Sequence, residues 1–513
     1  MLGYSRLQGS ESPFDAIAGD VLGDAIQLQD RDLEQLHHSC GVQSDHNTET
    51  DDDVETEKSM PQTVPKWKMY QTYRLFIKSS CIAALPRFCQ PGGMKVRDKL
   101  YPTSYLDALR GYAAFIVYVY HTTTWTGFHT FWHHQPFVSI VFNGEGMVAL
   151  FYVISGFVLS YSLLRSIRRQ ESAPTLQGLA SSTFRRYLRL YGSTVLATFI
   201  ALILVRLGWY GGDRGLHQPS LLDQIKDWSF ETIFYCNPFA DIRGWYYGGV
   251  HNTKYLPTMW TIPVEFRGSV VVFSVCAAMC KLSTRSRMIV CWMIIFSGYL
   301  WNALYVSQFL YGVFLADLSL SRNSEHLVWS ENPPDARELP FEGQSRNQTI
   351  PAKIGYCLLF IVGILLLGQP DDTELGVWGQ FPWGFLKRFI PWYYDAPSGE
   401  YWYLSVGAFL LVLSLESYPA LHRPLEWGFS QYIGDLSFGI YAIHPMLLLG
   451  FYMTWEEPMR EKYLGDSPWA FVPGLIVMTF LLISGADYFT RMDRKVVQFG
   501  KWLQGRTFRE WRN

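Results

Sequence analysis

Two residues with chemical potential, Arg110 and His121, lie in the otherwise apolar stretch "SYLDALRGYAAFIVYVYHTTTW", residues 104–125. In an α-helix, a separation of 11 residues is about three turns plus 20°, so both side chains share one face, about 16 Å apart. A guanidinium at mid-bilayer costs about 2.5–3.5 kcal/mol on insertion scales, so it is expected to face protein or water. The pair therefore suits an extended ligand, with an anion bound at Arg110 and proton transfer at His121.

Each residue also has a simpler interpretation. Arg110 lies near the start of the stretch, where its long side chain could extend to the membrane interface. His121, considered by itself, is equally compatible with a hydrogen-bonded histidine in a protein core.

The chain has 513 residues, of which 49% are hydrophobic and 17% are charged. Its apolar residues concentrate in runs of about 18 or more, the length needed to cross a bilayer as a helix. The predicted fold class is therefore all-α, a polytopic integral membrane helix bundle with about ten transmembrane helices. The predicted spans are 104–125, 146–164, 191–209, 264–281, 287–303, 305–320, 352–369, 402–418, 431–453 and 469–489. Three long connections, 210–262, 370–401 and 454–468, are rich in aromatic residues.

Charge divides the chain into four segments. Residues 1–66 are predicted to be an acidic disordered N-terminal tail, and "DDDVE" at 51–55 is typical of it. A basic juxtamembrane or interfacial segment follows at 67–103, then the membrane domain at 104–490 and a basic C-terminal tail at 491–513. Alternate loops are basic, which places both termini in the cytosol.

Five motifs, in order over residues 104–490, resemble the membrane-bound acyltransferase family 3, in particular its filamentous-fungal members. They are "LDALRGYAAFIVYVYH" at 106–121, "LFYVISGFVLS" at 150–160, "FRRYLRLYG" at 184–192, "MWTIPVEF" at 259–266 and "LSFGIYAIHP" at 436–445. The first contains Arg110 and His121 at the spacing that the family uses.

The resemblance implies an O-acyltransferase that moves an acyl group, commonly acetyl, from acyl-CoA to a hydroxyl. The expected acceptor is a small natural product, such as a terpenoid or polyketide alcohol of secondary metabolism, and a glycan or glycolipid is the second choice. His121 is then the general base that takes the hydroxyl proton, and Arg110 positions the CoA donor. The sequence has no Gly-x-Ser-x-Gly motif, so a direct transfer is expected.

Further residues are candidates on the same grounds. Arg185, Arg186 and Arg189 could bind the nucleotide phosphates, although a positive-inside signal explains them equally well. His444 could orient the acceptor or stabilise the oxyanion, or be a structural histidine beside Pro445. Glu265 could bind the acceptor hydroxyl or orient His121, or simply be a carboxylate near a helix start.

Two other functions stay open from the sequence, a multispanning transporter and a catalytically inactive membrane scaffold of the same fold. The expected partners are acyl-CoA as co-substrate, a hydroxylated acceptor and the lipid bilayer. No permanently bound cofactor, metal or nucleic acid is expected. The expected location is the endoplasmic reticulum or another endomembrane.

Overall fold

The computed structural model describes residues 85–94, 100–101, 103–125, 135–210, 215–238, 253–322, 349–369, 381–394 and 396–508. The predicted acidic tail at 1–66 and most of the juxtamembrane or interfacial segment at 67–103 lie outside these ranges. Within them the chain is helical and contains no β-strand.

Twelve helices of eight residues or more are numbered here along the described part of the chain. They are α1 (Ser104–Trp125), α2 (Gly144–Arg168), α3 (Ser172–Arg206), α4 (Leu221–Tyr235), α5 (Thr261–Ala278), α6 (Thr284–Leu300), α7 (Leu304–Arg322), α8 (Ile350–Leu367), α9 (Ala396–Ser417), α10 (Gly428–Asp435), α11 (Ser437–Tyr463) and α12 (Phe471–Thr507).

Nine of the ten predicted spans overlap one helix each, and the span 431–453 corresponds to α11 together with the end of α10. This agreement confirms the all-α membrane bundle. Among the described residues, eight helices are long and apolar enough to cross a membrane, all of the ten except α1 and α6. The helix α6 has only 17 residues, and α1 includes the polar residues Arg110 and His121.

Several helices extend beyond the predicted apolar runs. The helix α3 begins 19 residues before its predicted span, at Ser172, and α12 continues through basic residues to Thr507. The connection predicted at 454–468 is helical as far as Tyr463, because α11 continues beyond its apolar run. Its middle part, Leu447–Glu456, is a π-helix, a rare form that is frequently found at functional sites.

The centre of the bundle is the contact between α2 and α7. Gly156 on α2 and Gly312 on α7 each face the backbone of the other helix, so that a Cβ atom would overlap Phe309 O or Val153 O. Small residues at such positions let membrane helices approach closely.

A buried ionic network lies at one end of this contact. Asp317 accepts from Arg168 Nε at 2.9 Å and from Arg287 Nε and Nη2 at 2.7 Å.

The helices α1 and α11 run in the same direction. Gly434, at the end of α10, packs on the backbone of Asp107 and Ala108, and Gly111 packs on that of Ile433. Ten residues beyond Gly434, the ring of His444 lies against His121. We therefore refer to the Arg110 end and the His121 end of the bundle.

The described part of the juxtamembrane segment binds at the Arg110 end. Arg87 donates from Nε to Asp487 and from Nη1 to Asp435, both at 2.5 Å. These two carboxylates raise the pKa of Arg87, despite the opposing effect of burial. The segment is thus held against α10 and α12 by charge.

Candidate active site

The His121 end contains a stacked pair of histidines. The rings of His121 and His444 are almost parallel, with 5.3 Å between their centroids and an interplanar angle of 11°. His121 is half-buried and His444 is fully buried. The helix α1 thus places its histidine against a second imidazole from α11.

Hydrogen bonding defines the tautomer of His444. Its Nδ1 lies 3.2 Å from Ile440 O, one turn earlier in α11. A carbonyl only accepts, so Nδ1 carries the hydrogen and Nε2 of the neutral ring is an acceptor. This Nε2 is buried and has no hydrogen-bond partner in the described part of the chain. His444 is therefore a hydrogen-bond acceptor beside His121, rather than a donor.

Tyr441 connects the histidine pair to α5. Its ring centroid lies 5.9 Å from that of His444, and its hydroxyl donates to Thr258 O at 2.5 Å and lies 2.6 Å from the Thr261 hydroxyl. The sequence analysis did not name this tyrosine. The i, i+3 spacing between Tyr441 and His444 was the available signal, because residues at that spacing share a helix face.

Glu265 lies at the junction of three helices. Its Oε1 accepts from Arg186 Nη2 of α3 at 2.6 Å and from Ser155 Oγ of α2 at 2.7 Å. Arg186 Nε also donates to Ser269 Oγ at 2.9 Å. The described contacts of Glu265 are thus with Arg186 and Ser155, and none of them joins it to His121.

Three of the four candidate arginines come together at the Arg110 end. Arg110, Arg186 and Arg189 interact electrostatically with one another or with Glu265. Arg185 instead directs its Nε to Ser181 O of its own helix, at 3.5 Å. The structure therefore separates Arg185 from the cluster that the other three form.

Within this arginine cluster, the three side chains are held differently. Arg186 is in the ion pair with Glu265, and Arg110 Nη1 lies 3.7 Å from Asp107. Arg189 is exposed, and among the described residues no hydrogen bond or ion pair holds it. Asp493 of α12 contributes the nearest additional negative charge. Among the described residues, Arg189 thus differs from Arg110 and Arg186 in having no such contact.

Metal coordination has no candidate in the described ranges, which contain no group of three or more His, Cys, Asp or Glu residues that could hold a metal ion.

Comparisons with known proteins identify the family of this chain. The family model described as an acyltransferase domain matches residues 103–486. The O-acetyltransferase PaAT-1 of Phomopsis amygdali is 27% identical over 467 residues, which cover 83% of this chain and 88% of that protein. The acyltransferases R4 of a Phoma species and clz18 of Cochliobolus lunatus are 23% and 22% identical, each over 62% of this chain and 70% of the relative.

No solved structure matches this chain significantly. The family model covers most of the chain, including both histidines and the arginine cluster. The protein is therefore a multi-pass membrane enzyme of the acyltransferase 3 family.

Proposed function

We propose that this enzyme transfers an acyl group, most simply acetyl, from acyl-CoA to a hydroxyl of a hydrophobic small molecule. The observation that carries the proposal is the stacked pair His121–His444 at one end of α1, with an arginine cluster at the other. A thioester is already activated, whereas a hydroxyl is a poor nucleophile and needs a base at the point of attack.

In the proposed reaction, His121 is the general base. The acceptor hydroxyl attacks the thioester carbonyl carbon, a C–O bond forms, and the C–S bond breaks. His121 takes the hydroxyl proton and returns it to the CoA thiolate, so the products are an ester and free CoA. Its partial exposure, against the complete burial of His444, supports this assignment.

The tautomer of His444 favours one of its two possible roles. An oxyanion needs a donor, but the Nδ1 hydrogen of His444 is directed to Ile440 O. The remaining atom, Nε2, accepts a hydrogen bond and can hold the acceptor hydroxyl beside His121. We assign His444 to orienting the acceptor.

The arginine cluster is assigned to the CoA donor. Phosphate groups are bound well by guanidinium forks, and Arg189 is available for such a contact. Arg110 is proposed to bind the pantetheine or phosphate part nearer the histidines. Arg186 contributes charge but is committed to Glu265, and Arg185 is assigned no contact with the donor.

The acceptor class follows from the architecture and the relatives. The names of the relatives describe acyl and O-acetyl transfer by fungal enzymes. A bundle that faces lipid suits a membrane-soluble alcohol, such as a terpenoid or polyketide, better than a water-soluble glycan. We propose residence in the endoplasmic reticulum, which a fluorescent fusion would test.

Transfer of radiolabel from acetyl-CoA tests the function directly. Purified wild-type protein in nanodiscs is given labelled acetyl-CoA and an extract of candidate alcohols, and label is counted separately in organic-soluble esters and water-soluble glycans. We expect label in the organic fraction, and a loss of roughly 10²–10⁴-fold in His121→Ala. His422→Gln is the control, since His422 stacks on Tyr105 away from this pair.

Label in the glycan fraction alone would change the acceptor class. Movement of solute without CoA release would indicate a transporter, and neither activity would indicate a scaffold.

A further inference from the structure

A groove of about 740 Å³ lies at the His121 end, between Trp209 just beyond α3, the last part of α11 and the start of α12. Its volume is typical of sites for small molecules. The lining is mainly aromatic and apolar and includes Trp209, Phe451, Trp455, Met459 and Val477. Only two charged residues, Glu456 and Arg460, contribute to it.

The carboxylate of Glu456 is held in this groove without a donor. Its Oε2 is buried and has no hydrogen-bond partner in the described part of the chain. The π-helix ends at Glu456, and Gly474 of α12 leaves room for the side chain, because a Cβ atom there would overlap Oε1. A buried polar group without a partner is costly, so a bound donor would be favoured here.

Arg460 limits the kind of ligand that fits. Its Nη1 donates to Asp466 Oδ1 at 2.7 Å and to Gly465 O at 3.0 Å, and the guanidinium lies 4.2 Å from the Phe471 ring centroid. Asp466 already balances its charge, so an anion gains little. A charged donor would have to lose its water in a groove lined mainly by apolar side chains, which is costly, so a neutral donor such as a hydroxyl is favoured.

The groove opens towards the membrane. Trp455 and Met459 are 51% and 59% exposed, and only 22% of the apolar window of α12 is buried in the bundle. Tryptophan at such a position is typical of a membrane–water interface. A ligand would therefore arrive from the lipid and be hydrophobic apart from its donor.

The groove and the histidine pair share one helix. Glu456 lies 12 residues beyond His444 on α11, no more than about 18 Å along the axis. We infer that the groove is the docking site of the acceptor, a hydrophobic neutral alcohol taken from the bilayer, whose hydroxyl donates to Glu456 before the molecule moves to the histidines. This inference rests on the proposed function for the identity of the ligand.

Photolabelling tests the inference without turnover. The probe is a long-chain alcohol with a mid-chain diazirine, added to the protein in phosphatidylcholine nanodiscs, and labelled peptides are identified by mass spectrometry. We expect labelling to concentrate on Phe451, Trp455 and Met459. Glu456→Leu should lower it about tenfold, as expected for loss of a hydrogen bond to a charged group, without lowering the thermal midpoint, since an unpaired carboxylate is removed.

A second test variant and a matched control complete the experiment. Gly474→Ala should also lower labelling, because its methyl group displaces the Glu456 carboxylate. Ile476→Ala is the matched control, since Ile476 is 65% exposed on α12 and does not line the groove. It should leave labelling unchanged.

Equal labelling by the methyl ether of the probe, or unchanged labelling of Glu456→Leu, would reduce the groove to ordinary lipid contact and overturn the inference. Labelling should persist in His121→Ala. Ester formation by the wild type without groove labelling would overturn only the docking site. Groove labelling without ester formation would overturn only the proposed function.

Discussion

Arg186 of α3 donates to Glu265 of α5 at 2.6 Å, and this ion pair joins the two helices inside the bundle. The side chains are only 12% and 17% exposed. Both were candidate site residues, but their contact is first of all a connection between α5 and α3, the helix that carries two of the three clustered arginines.

Arg186→Ala should destabilise the protein strongly, by roughly 3 kcal/mol, because it leaves the Glu265 carboxylate without its nearest counter-charge. Thermal unfolding in nanodiscs would measure this. Arg185→Ala is the control on the neighbouring position and should change the midpoint little, since the Nε of Arg185 donates to Ser181 O of its own helix at the long distance of 3.5 Å. Equal effects of the two substitutions would contradict this account of the ion pair.

Arg189→Gln should weaken acetyl-CoA binding about tenfold and leave the fold intact, because this exposed guanidinium has no described partner. The KM for acetyl-CoA, measured at low and high salt, would report the loss, with a smaller salt dependence in the variant. Arg206→Gln, at the other end of α3, where Arg206 donates to Gln218 O at 2.9 Å, should not change this KM. An unaltered KM in Arg189→Gln would remove Arg189 from the donor site.

Two substitutions of His444 separate its two ring nitrogens. The asparagine side chain can reproduce the donor at Nδ1 of the histidine ring. The glutamine side chain can place a polar group where Nε2 lies. We expect His444→Asn to fold normally but to raise the KM for the alcohol at least tenfold, and His444→Gln to lose less. Steady-state kinetics with any accepted alcohol would measure both KM values. A larger KM in His444→Gln than in His444→Asn would mean that the contact with Ile440 O is the important one.

Asp317→Asn should be among the most destabilising single changes, at about 3–5 kcal/mol, since two arginines of α2 and α6 depend on this buried carboxylate. Yield and thermal stability after purification would show it. Asp223→Asn, which alters an exposed cap of α4, is the control and should cost less than about 1 kcal/mol. A stable Asp317→Asn protein would mean that the network contributes little to folding.

Gly156→Ala should separate α2 from α7, because the new methyl group would overlap Phe309 O. A backbone atom cannot move aside as a flexible side chain can, so we expect poor recovery of folded protein by size-exclusion chromatography. Gly355→Ala on α8 has open space around the added atom and should behave like the wild type. Normal recovery of Gly156→Ala would show that the two helices can move apart at little cost.

The positions of the helices were predictable because a long apolar run has few alternatives in a bilayer. The ends were less predictable: α3 and α12 continue into basic segments, where helical hydrogen bonding persists although the sequence is no longer apolar. The helical stretch at 454–463 was missed for the same reason.

The site was predictable only within one helix. The shared face of Arg110 and His121 follows from helix geometry, whereas the stack with His444 depends on how α10 and α11 pack on α1. The partner of Glu265 could not be predicted either, since nothing in the residues around it favoured Arg186 over His121. Such pairings are tertiary contacts between residues distant in the chain.

Gly111 of α1 and Gly434 of α10 pack backbone against backbone, so a tilt of α11 would turn about this contact. His444 lies ten residues further along, so its lever arm is about 15 Å, and a change of roughly 4° in the tilt of α11 would shift the imidazole by about 1 Å. Displacements of that size can slow a reaction about 10²-fold. Because helix tilt responds to the thickness of the surrounding hydrocarbon, turnover should vary with the acyl-chain length of the host lipid.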